Sequence, residues 1–250
     1  MPHDEKAFLQ SVRDTYQRGS AQDRTIRELA VRTFAPFLEP GFRALQLGYS
    51  EGIDSALLSR LVSVFDVVEG EPSFAEMARL AAREGSLVHE CLFEDFALPE
   101  DAPRYDAVFA LYVLEHVVNP SDVLRLARAV LKPSGRLFVA VPNARALSRQ
   151  LALHMGLIDN LYALTRNDHN HGHRRVYDRA ALNRDFDAGG FRIMAQGGLM
   201  LKLLADFQMD QLFAHGILGD AQVEGLYRMG LEYPDLCGSL FAVCVPEEIA

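Results

Sequence analysis

The stretch Ala44-Leu45-Gln46-Leu47-Gly48-Tyr49-Ser50-Glu51-Gly52 joins a short apolar run to a turn that carries two glycines. A helical pattern of apolar residues follows it over 53–61. This order predicts a strand, a tight turn and a helix, the unit that opens many α/β sheets. We expect Gly48 to permit the turn, Gly52 to let a ligand approach the backbone, and Asp54 to cap the helix.

Short apolar runs and helical patterns alternate outward from this unit. The strand-like runs are 43–48, 64–69, 87–93, 105–112, 136–143, 191–194 and 239–245. Helical patterns at 53–61, 72–83 and 120–131 separate several of them. Strands that alternate with helices predict βαβ units. We therefore expect an α/β fold with a seven-stranded, mostly parallel sheet and helices on both faces.

The spacing of the glycines argues against one large class of cofactors. A dinucleotide-binding turn needs glycine at its first, third and sixth positions, which here are Gly48, Ser50 and Ile53. A nicotinamide or flavin cofactor is therefore disfavoured. The second strand ends at Glu69, about 20 residues further on, where a carboxylate can accept hydrogen bonds from both ribose hydroxyls. Glu71 is the competing candidate if that strand runs longer.

Several further blocks follow the glycine turn in a fixed order. They are Val67-Val68-Glu69-Gly70, Phe93-Glu94-Asp95-Phe96, Tyr105-Asp106-Ala107-Val108, Val113-Leu114-Glu115-His116-Val117, Leu131-Lys132-Pro133-Ser134-Gly135-Arg136-Leu137 and Val141-Pro142-Asn143. The ordered set resembles the class I S-adenosylmethionine-dependent methyltransferases across residues 41–143. The Leu-Glu-His-Val and Leu-Lys-Pro-Ser-Gly blocks are typical of the small-molecule and lipid-quinone branch. The resemblance implies a Rossmann-like sheet, S-adenosylmethionine as cofactor, and methyl transfer.

The resemblance also implies which residues hold the cofactor. They are Gln46, Gly48, Tyr49, Ser50, Gly52, Glu69, Gly70, Phe93, Glu94 and Tyr112. In this arrangement the glycine turn surrounds the methionine end and Glu69 binds the ribose. Phe93 and Glu94 flank the adenine, and Tyr112 lines the cofactor near the transferred methyl group.

The glycine turn departs from the family pattern at two points. The family usually has an acid two residues before the first glycine, and this chain has Gln46 there. A neutral amide lacks the attraction of a carboxylate for the ammonium and sulfonium charges of the cofactor. Ser50 stands where the family has a glycine. These departures favour, as an alternative, a protein that binds S-adenosylmethionine or S-adenosylhomocysteine without catalysis.

The resemblance and the punctuation of the chain predict one methyltransferase-like domain over residues 1–250. Its segments are N-terminal helices at 1–40, a cofactor-binding core at 41–143, helical lid insertions at 144–190 and 199–237, and closing strands at 191–198 and 239–246. The amphipathic stretch at the start of the second insertion packs on the sheet or on a second subunit. A homodimer through residues 199–237 is therefore one expectation.

The most polar segment, Asp168-His169-Asn170-His171-Gly172-His173-Arg174-Arg175-Val176-Tyr177, lies in the first insertion. If it is extended, its alternate histidines face one side and can serve as a base or as metal ligands. We expect His171, His173 and Tyr177 to be catalytic, with Gly172 permitting an unusual turn.

A metal site is the alternative for this region. Some RNA-end methyltransferases hold a divalent metal with a Glu-x-x-Glu-His block and a later histidine. In this chain Tyr112 replaces the first glutamate of that block, so Glu115 and His116 are expected to be structural. We assign no metal ligands and keep a metal-assisted methyltransferase as an alternative.

Charge and hydropathy limit the classes of partner that we expect. Lys and Arg number 25 against 34 Asp and Glu, a net charge of −9. This acidic excess repels a phosphate backbone, so no nucleic-acid partner is expected. The polar N-terminus lacks the apolar run of a signal peptide, and no apolar stretch is long enough to cross a bilayer. We expect a cytoplasmic enzyme without a membrane partner that methylates the oxygen or nitrogen of a small polar metabolite.

Overall fold

The computed structural model describes residues 5–15 and 19–247. The strands are β1 (Arg43–Leu47), β2 (Val64–Glu69), β3 (Val88–Glu90), β4 (Tyr105–Leu111), β5 (Leu131–Pro142), β6 (Phe191–Gly198) and β7 (Ser239–Pro246). The helices are α1 (Glu5–Thr15), α2 (Ala21–Phe34), α3 (Ile53–Leu58), α4 (Pro72–Ala81), α5 (Pro120–Val130), α6 (Leu147–His154), α7 (Arg166–Asn170), α8 (Arg179–Ala188), α9 (Asp206–Ala214) and α10 (Asp220–Glu232).

The seven strands form one sheet in the order β3-β2-β1-β4-β5-β7-β6. β1 pairs in parallel with β2 and β4, whereas β7 runs antiparallel to both β5 and β6. The predicted α/β fold with a mostly parallel, seven-stranded sheet is confirmed. The strand order reverses between β1 and β4, so a crevice opens beyond the carboxyl ends of these two strands.

The central strand β4 shows why both faces of the sheet are covered. Val108 and Ala110 point into a core that contains residues of α5 and α8, whereas Ala107 and Phe109 point into a second core with residues of α2, α3 and α4. Alternate side chains of a strand point to opposite faces, so an almost uninterrupted apolar run requires two apolar layers. The prediction of helices on both faces is confirmed.

The insertions differ in detail from the expected helical segments. Residues 144–190 form the short helices α6 and α7 and the longer α8, which packs on the sheet. In the second insertion, Met200, Met209 and Tyr227 form a small core with Leu29 of α2. Part of its apolar stripe is therefore buried within the chain, and a dimer through 199–237 stays a prediction. No helix in the described ranges is both long and apolar enough to span a membrane.

Candidate active site

One cavity lies at the carboxyl ends of β1, β2 and β4, where the strand order reverses. The predicted residues in its wall are Gln46, Gly48, Tyr49, Ser50, Glu69, Gly70, Phe93, Glu94, Tyr112 and His171. Its empty space of about 1040 Å³, part of it open to solvent, is of the size of a small-molecule site. Residues from five separate stretches of sequence are thus brought to one place.

The glycine turn follows β1 in a left-handed conformation. Gly48 has a φ of 76°, and its N–H donates to the carbonyl of Val68 at 2.8 Å, which ties the turn to β2. Ser50 has a φ of 53°, although it is not a glycine. The replacement noticed in the sequence therefore keeps the backbone shape of a glycine turn, at some cost in strain.

Ser50 and Tyr112 are the two non-glycine residues with positive φ in the described part of the chain. They follow the neighbouring strands β1 and β4, and both line the cavity. Tyr112 is held by its N–H, which donates to Ala140 O at 2.7 Å, and by its hydroxyl, which donates to Ser239 Oγ at 3.1 Å. Strained residues concentrate at functional sites, so their position here supports a binding role for this edge.

Two expectations for the turn are wrong. Gly52 does not line the cavity: a Cβ atom there would lie 2.3 Å from the Tyr49 hydroxyl, so the missing side chain makes room for the Tyr49 ring and not for a ligand. Asp54 does not cap α3, which begins after Gly52 in a left-handed conformation without a side-chain cap. The carboxylate of Asp54 instead pairs with Arg27 at 2.7 Å.

Glu69 joins the end of β2 to the glycine turn. Its Oε2 accepts the N–H of Tyr49 at 2.7 Å, and its Oε1 accepts the N–H of Glu71 at 2.8 Å. Burial raises the pKa of Glu69, and backbone hydrogen bonds oppose this effect. The N–H of Ser50 is a third backbone donor to this carboxylate. A carboxylate has about four lone pairs, so the side chain can hold the turn and still accept from a ligand hydroxyl.

Glu71, the alternative candidate for the ribose contact, has a structural role in the helix that follows. Its Oε2 accepts the N–H of Phe74 at 2.9 Å and caps α4, and it also receives the hydroxyl of Ser73. The side chain of Glu71 still borders the cavity. The strand ends at Glu69, as the first of the two alternatives requires.

Arg27 of α2 is a cavity residue that the sequence did not indicate. Its Nη1 donates to Asp54 Oδ2 at 2.7 Å and its Nε to Asp23 at 2.8 Å. Its guanidinium carbon lies 4.7 Å from the centre of the Tyr112 ring. Nothing in a helix with several arginines distinguishes this one, because its role depends on contacts with α3 and with the end of β4.

The histidine segment is not extended, so the expected one-sided arrangement is wrong. Residues Arg166–Asn170 form α7, and His169 is exposed. His171 follows the helix and lines the cavity, whereas His173 lies behind it and its Nδ1 is 2.9 Å from Asp168 Oδ1. Between them Gly172 has a φ of 76°, and this confirms the unusual turn.

Tyr177 lies outside the cavity, which contradicts the catalytic role predicted for it. Its side chain is 2% exposed in the hydrophobic core, and its hydroxyl donates to Asp185 at 2.8 Å. Burial raises the pKa of Tyr177 strongly, and the hydrogen bond to Asp185 adds to the effect. Within the first insertion, this residue fixes the segment after α7 to α8, and it does not line the cavity.

Glu115 and His116 form a cluster with His173: one potential ligand atom from each of the three side chains lies within 4.8 Å of the other two. Glu115 is fully buried, and neither of its carboxylate oxygens has a hydrogen-bond partner in another described residue. Burial raises the pKa of Glu115 to about 7, and burial lowers the pKa of His116. His116 lines the cavity, so the cluster connects directly with it.

Helix α1 covers part of the cavity. Its residues Phe8, Leu9 and Val12 line the cavity, although none of the helix is fully buried. Gly172 leaves room for it, since a Cβ atom there would lie 2.5 Å from Val12 Cγ2. At the other end of the helix, Arg174 donates to both carboxylate oxygens of Glu5, at 3.0 and 2.9 Å.

The sequence is similar to those of known methyltransferases. A ubiquinone biosynthesis O-methyltransferase of Xanthomonas axonopodis is 32% identical over 120 residues, which are 46% of this chain and 50% of the relative. The equivalent enzyme of Marinobacter nauticus is 34% identical over 117 residues, 45% of this chain and 49% of the relative. The chain spans about half the length of the curated relatives it matches.

Solved structures share the fold. An S-adenosylmethionine-dependent methyltransferase of Thermotoga maritima, a possible histamine N-methyltransferase, superposes with a TM-score of 0.63 at 14% identity, covering 96% of this chain and 98% of that one. Magnesium protoporphyrin IX methyltransferase of Synechocystis, solved with bound S-adenosylhomocysteine, gives 0.59 at 14% identity and covers 96% and 95%. The family model described as a methyltransferase domain matches residues 17–196. The chain therefore belongs to the S-adenosylmethionine-dependent methyltransferase family.

Proposed function

We propose that this protein transfers the methyl group of S-adenosylmethionine to an oxygen or nitrogen atom of a small molecule. The observation that carries the proposal is the single cavity in which the Gly48 turn, Glu69, Phe93 and Tyr112 face two imidazoles, His116 and His171. The first four surround the place of a nucleoside-like ligand at the ends of the strands. We assign the two imidazoles to the acceptor.

The reaction is an in-line displacement. The acceptor atom forms a bond to the methyl carbon while the carbon–sulfur bond breaks, and sulfur keeps the electron pair to become a thioether. The acceptor proton passes to a base, for which an imidazole is suited. Burial lowers the pKa of His116, so its ring is neutral near pH 7 and able to accept a proton. The cover that α1 provides would limit the access of water and help to align the acceptor.

The cavity wall narrows the expected acceptor. Phe8, Val12, Val113 and Val117 line the same cavity as the two imidazoles and give it an apolar wall. Such a wall fits a molecule with an apolar body and one hydroxyl or amine better than a wholly polar metabolite. The names of the two ubiquinone-biosynthesis relatives agree with transfer to oxygen.

The test has two stages. Calorimetry with S-adenosylmethionine and S-adenosylhomocysteine measures binding, and a screen with a labelled methyl donor over phenols and amines measures turnover. His116→Ala and His171→Ala should each lower kcat by about 100-fold while cofactor affinity stays within about twofold. The matched control is His169→Ala, which removes an exposed imidazole outside the cavity. Binding without turnover of any acceptor would favour the non-catalytic alternative, and no binding would refute the proposal.

A metal-assisted methyltransferase is the second candidate, and the cluster of Glu115, His116 and His173 favours it. A buried carboxylate without a hydrogen-bond partner in another residue is costly unless something compensates it. One carboxylate and two imidazoles form a donor set that suits Zn²⁺, Mn²⁺ or Fe²⁺. Such an ion would polarise an acceptor hydroxyl held against it. Titration with Mn²⁺ and Zn²⁺ should give one site per chain in the wild type and none in Glu115→Gln.

A further inference from the structure

Asp54 carries an unsatisfied acceptor in the wall of the cavity. Its side chain is 2% exposed, and Oδ2 accepts from Arg27 at 2.7 Å. Oδ1 has no hydrogen-bond partner among the described residues. Buried polar atoms in native proteins are almost always paired, so an unpaired carboxylate oxygen beside a ligand cavity is suited to a donor on the ligand.

The position of Asp54 relative to Gln46 indicates which ligand group can donate to Asp54 Oδ1. The next residue, Ser55, donates its hydroxyl to Gln46 Oε1 at 2.7 Å, so Asp54 lies directly beside the place where an acid is missing. Both Gln46 and Asp54 line the cavity at the end of β1. A ligand that meets Gln46 is therefore within reach of the carboxylate that Asp54 supplies.

The charges on this wall match those of an amino acid. Arg27 offers a cation and Asp54 an anion, and both lie beside the glycine turn. The methionine end of S-adenosylmethionine carries one carboxylate and one ammonium group. A paired cation and anion recognise such a zwitterion better than a neutral amide does, because each ligand charge meets its opposite in a partly dry site.

We propose that Asp54 binds the ammonium group of the methionine moiety. Asp54 would thereby supply the carboxylate that the family usually has at the position of Gln46. The inference rests on the proposed function, since it assumes that the cavity holds this cofactor. It explains how a glycine turn preceded by glutamine still accommodates a ligand that carries both an ammonium and a sulfonium group. Asp23 also holds Arg27, at 2.8 Å, so the guanidinium keeps one partner when Asp54 turns toward a ligand.

The test compares three ligands by calorimetry in the wild type and in Asp54→Asn. The ligands are S-adenosylhomocysteine, its analogue with hydrogen in place of the amino group, and 5′-methylthioadenosine, which lacks the amino-acid part. In Asp54→Asn the affinity for S-adenosylhomocysteine should fall by about 10- to 100-fold, the loss of one charged hydrogen bond. The affinities for the other two ligands should change by less than about twofold, within the spread of indirect effects.

Asp23→Asn is the matched control, because it removes a carboxylate from Arg27 on the side away from the cavity. This variant should keep the wild-type preference for the amino group. Equal losses for S-adenosylhomocysteine and its deaminated analogue in Asp54→Asn would show that Asp54 acts only through Arg27 and would overturn the inference. A wild type that binds none of the three ligands would instead refute the proposed function.

A rescue experiment tests the exchange of positions directly. Gln46→Asp in the Asp54→Asn background moves the carboxylate to the place where the family usually has its acid. The double variant should recover most of the lost affinity for S-adenosylhomocysteine and the preference for its amino group. A double variant that is folded by circular dichroism but binds no better than Asp54→Asn would contradict the inference.

Discussion

Replacing Glu69 should have two separable effects, one on the fold and one on the ligand. In Glu69→Ala the N–H groups of Tyr49 and Glu71 lose their acceptor, and both residues are more than nine-tenths buried. Each unsatisfied buried donor costs about 1–3 kcal/mol. The free energy of unfolding should therefore fall by about 2–6 kcal/mol, which is a large part of the stability of a typical domain.

The conservative variant Glu69→Gln separates the two effects. Its carbonyl oxygen still accepts one of the two N–H groups, so the loss in unfolding free energy should be about half as large. Urea denaturation followed by circular dichroism measures both losses. The larger loss in Glu69→Ala than in Glu69→Gln tests the assignment of the carboxylate as the link between β2 and the glycine turn.

The ribose contact is tested with ligands and not with stability. S-adenosylhomocysteine and its 2′-deoxy and 3′-deoxy analogues are titrated into the wild type and Glu69→Gln by calorimetry. If Glu69 accepts the ribose hydroxyls, each deoxy analogue should bind the wild type about 10- to 100-fold more weakly, as expected for a hydrogen bond to a carboxylate. Most of that penalty should vanish in Glu69→Gln.

If the deoxy analogues lose as much affinity in Glu69→Gln as in the wild type, the ribose assignment is refuted, and Glu69 is a residue that only holds the turn. The matched variant is Glu71→Gln, which alters the cap of α4 beside the same cavity. It should keep the full penalty. A penalty that vanishes in Glu71→Gln instead would transfer the ribose contact to that residue.

Three further predictions concern the neighbourhood of the site. Gly172→Ala should loosen α1, because a Cβ atom at this position would clash with Val12, and stopped-flow displacement should then show faster release of S-adenosylhomocysteine. Adding Val12→Ala should restore the slower release. The control Gly156→Ala also places alanine at a positive φ but meets no neighbouring atom, so it should leave the release rate unchanged. Burial raises the pKa of Glu115 to about 7, so its contribution to stability is complete below pH 4.5 and is lost as the pH rises through 7. In urea denaturation without added metal, the free energy of unfolding of Glu115→Gln should exceed that of the wild type by up to about 3 kcal/mol at pH 8.5. At pH 4.5 the two free energies should be similar. Tyr177→Phe should cost about 1 kcal/mol of stability and leave kcat unchanged, and a large loss of turnover would restore its catalytic role.

Much of the cofactor end of the site was readable in the sequence, because it is built from local patterns. Gly48, Ser50 and Glu69 each follow an apolar run, and the carboxyl ends of parallel strands necessarily meet at one edge of the sheet. Phe93 and Tyr112 were indicated by the family resemblance. The part of the cavity lined by His116, His171 and α1 was harder to predict, since these residues come together only through tertiary packing.

Two errors show where local reasoning failed. Gly52 was expected to admit a ligand, but its missing side chain admits the ring of Tyr49, a contact that no spacing rule reveals. The histidine segment was read as extended, but the capping box of Thr165 and Asp168 starts a helix there and leaves His173 behind the cavity wall. In both cases a neighbouring side chain decided the outcome.

The amino-acid sequence by itself determines the α/β class, the mostly parallel sheet and the edge where the candidate cavity lies, because strand and helix periodicities are local and parallel strands share one direction. Only the tertiary structure decides where the charges lie. The pair of Arg27 and Asp54 joins α2 to α3 across 27 residues, and His173 reaches Glu115 and His116 from a separate insertion. Such contacts depend on how helices pack against one another, and no pattern along the chain encodes that packing in isolation.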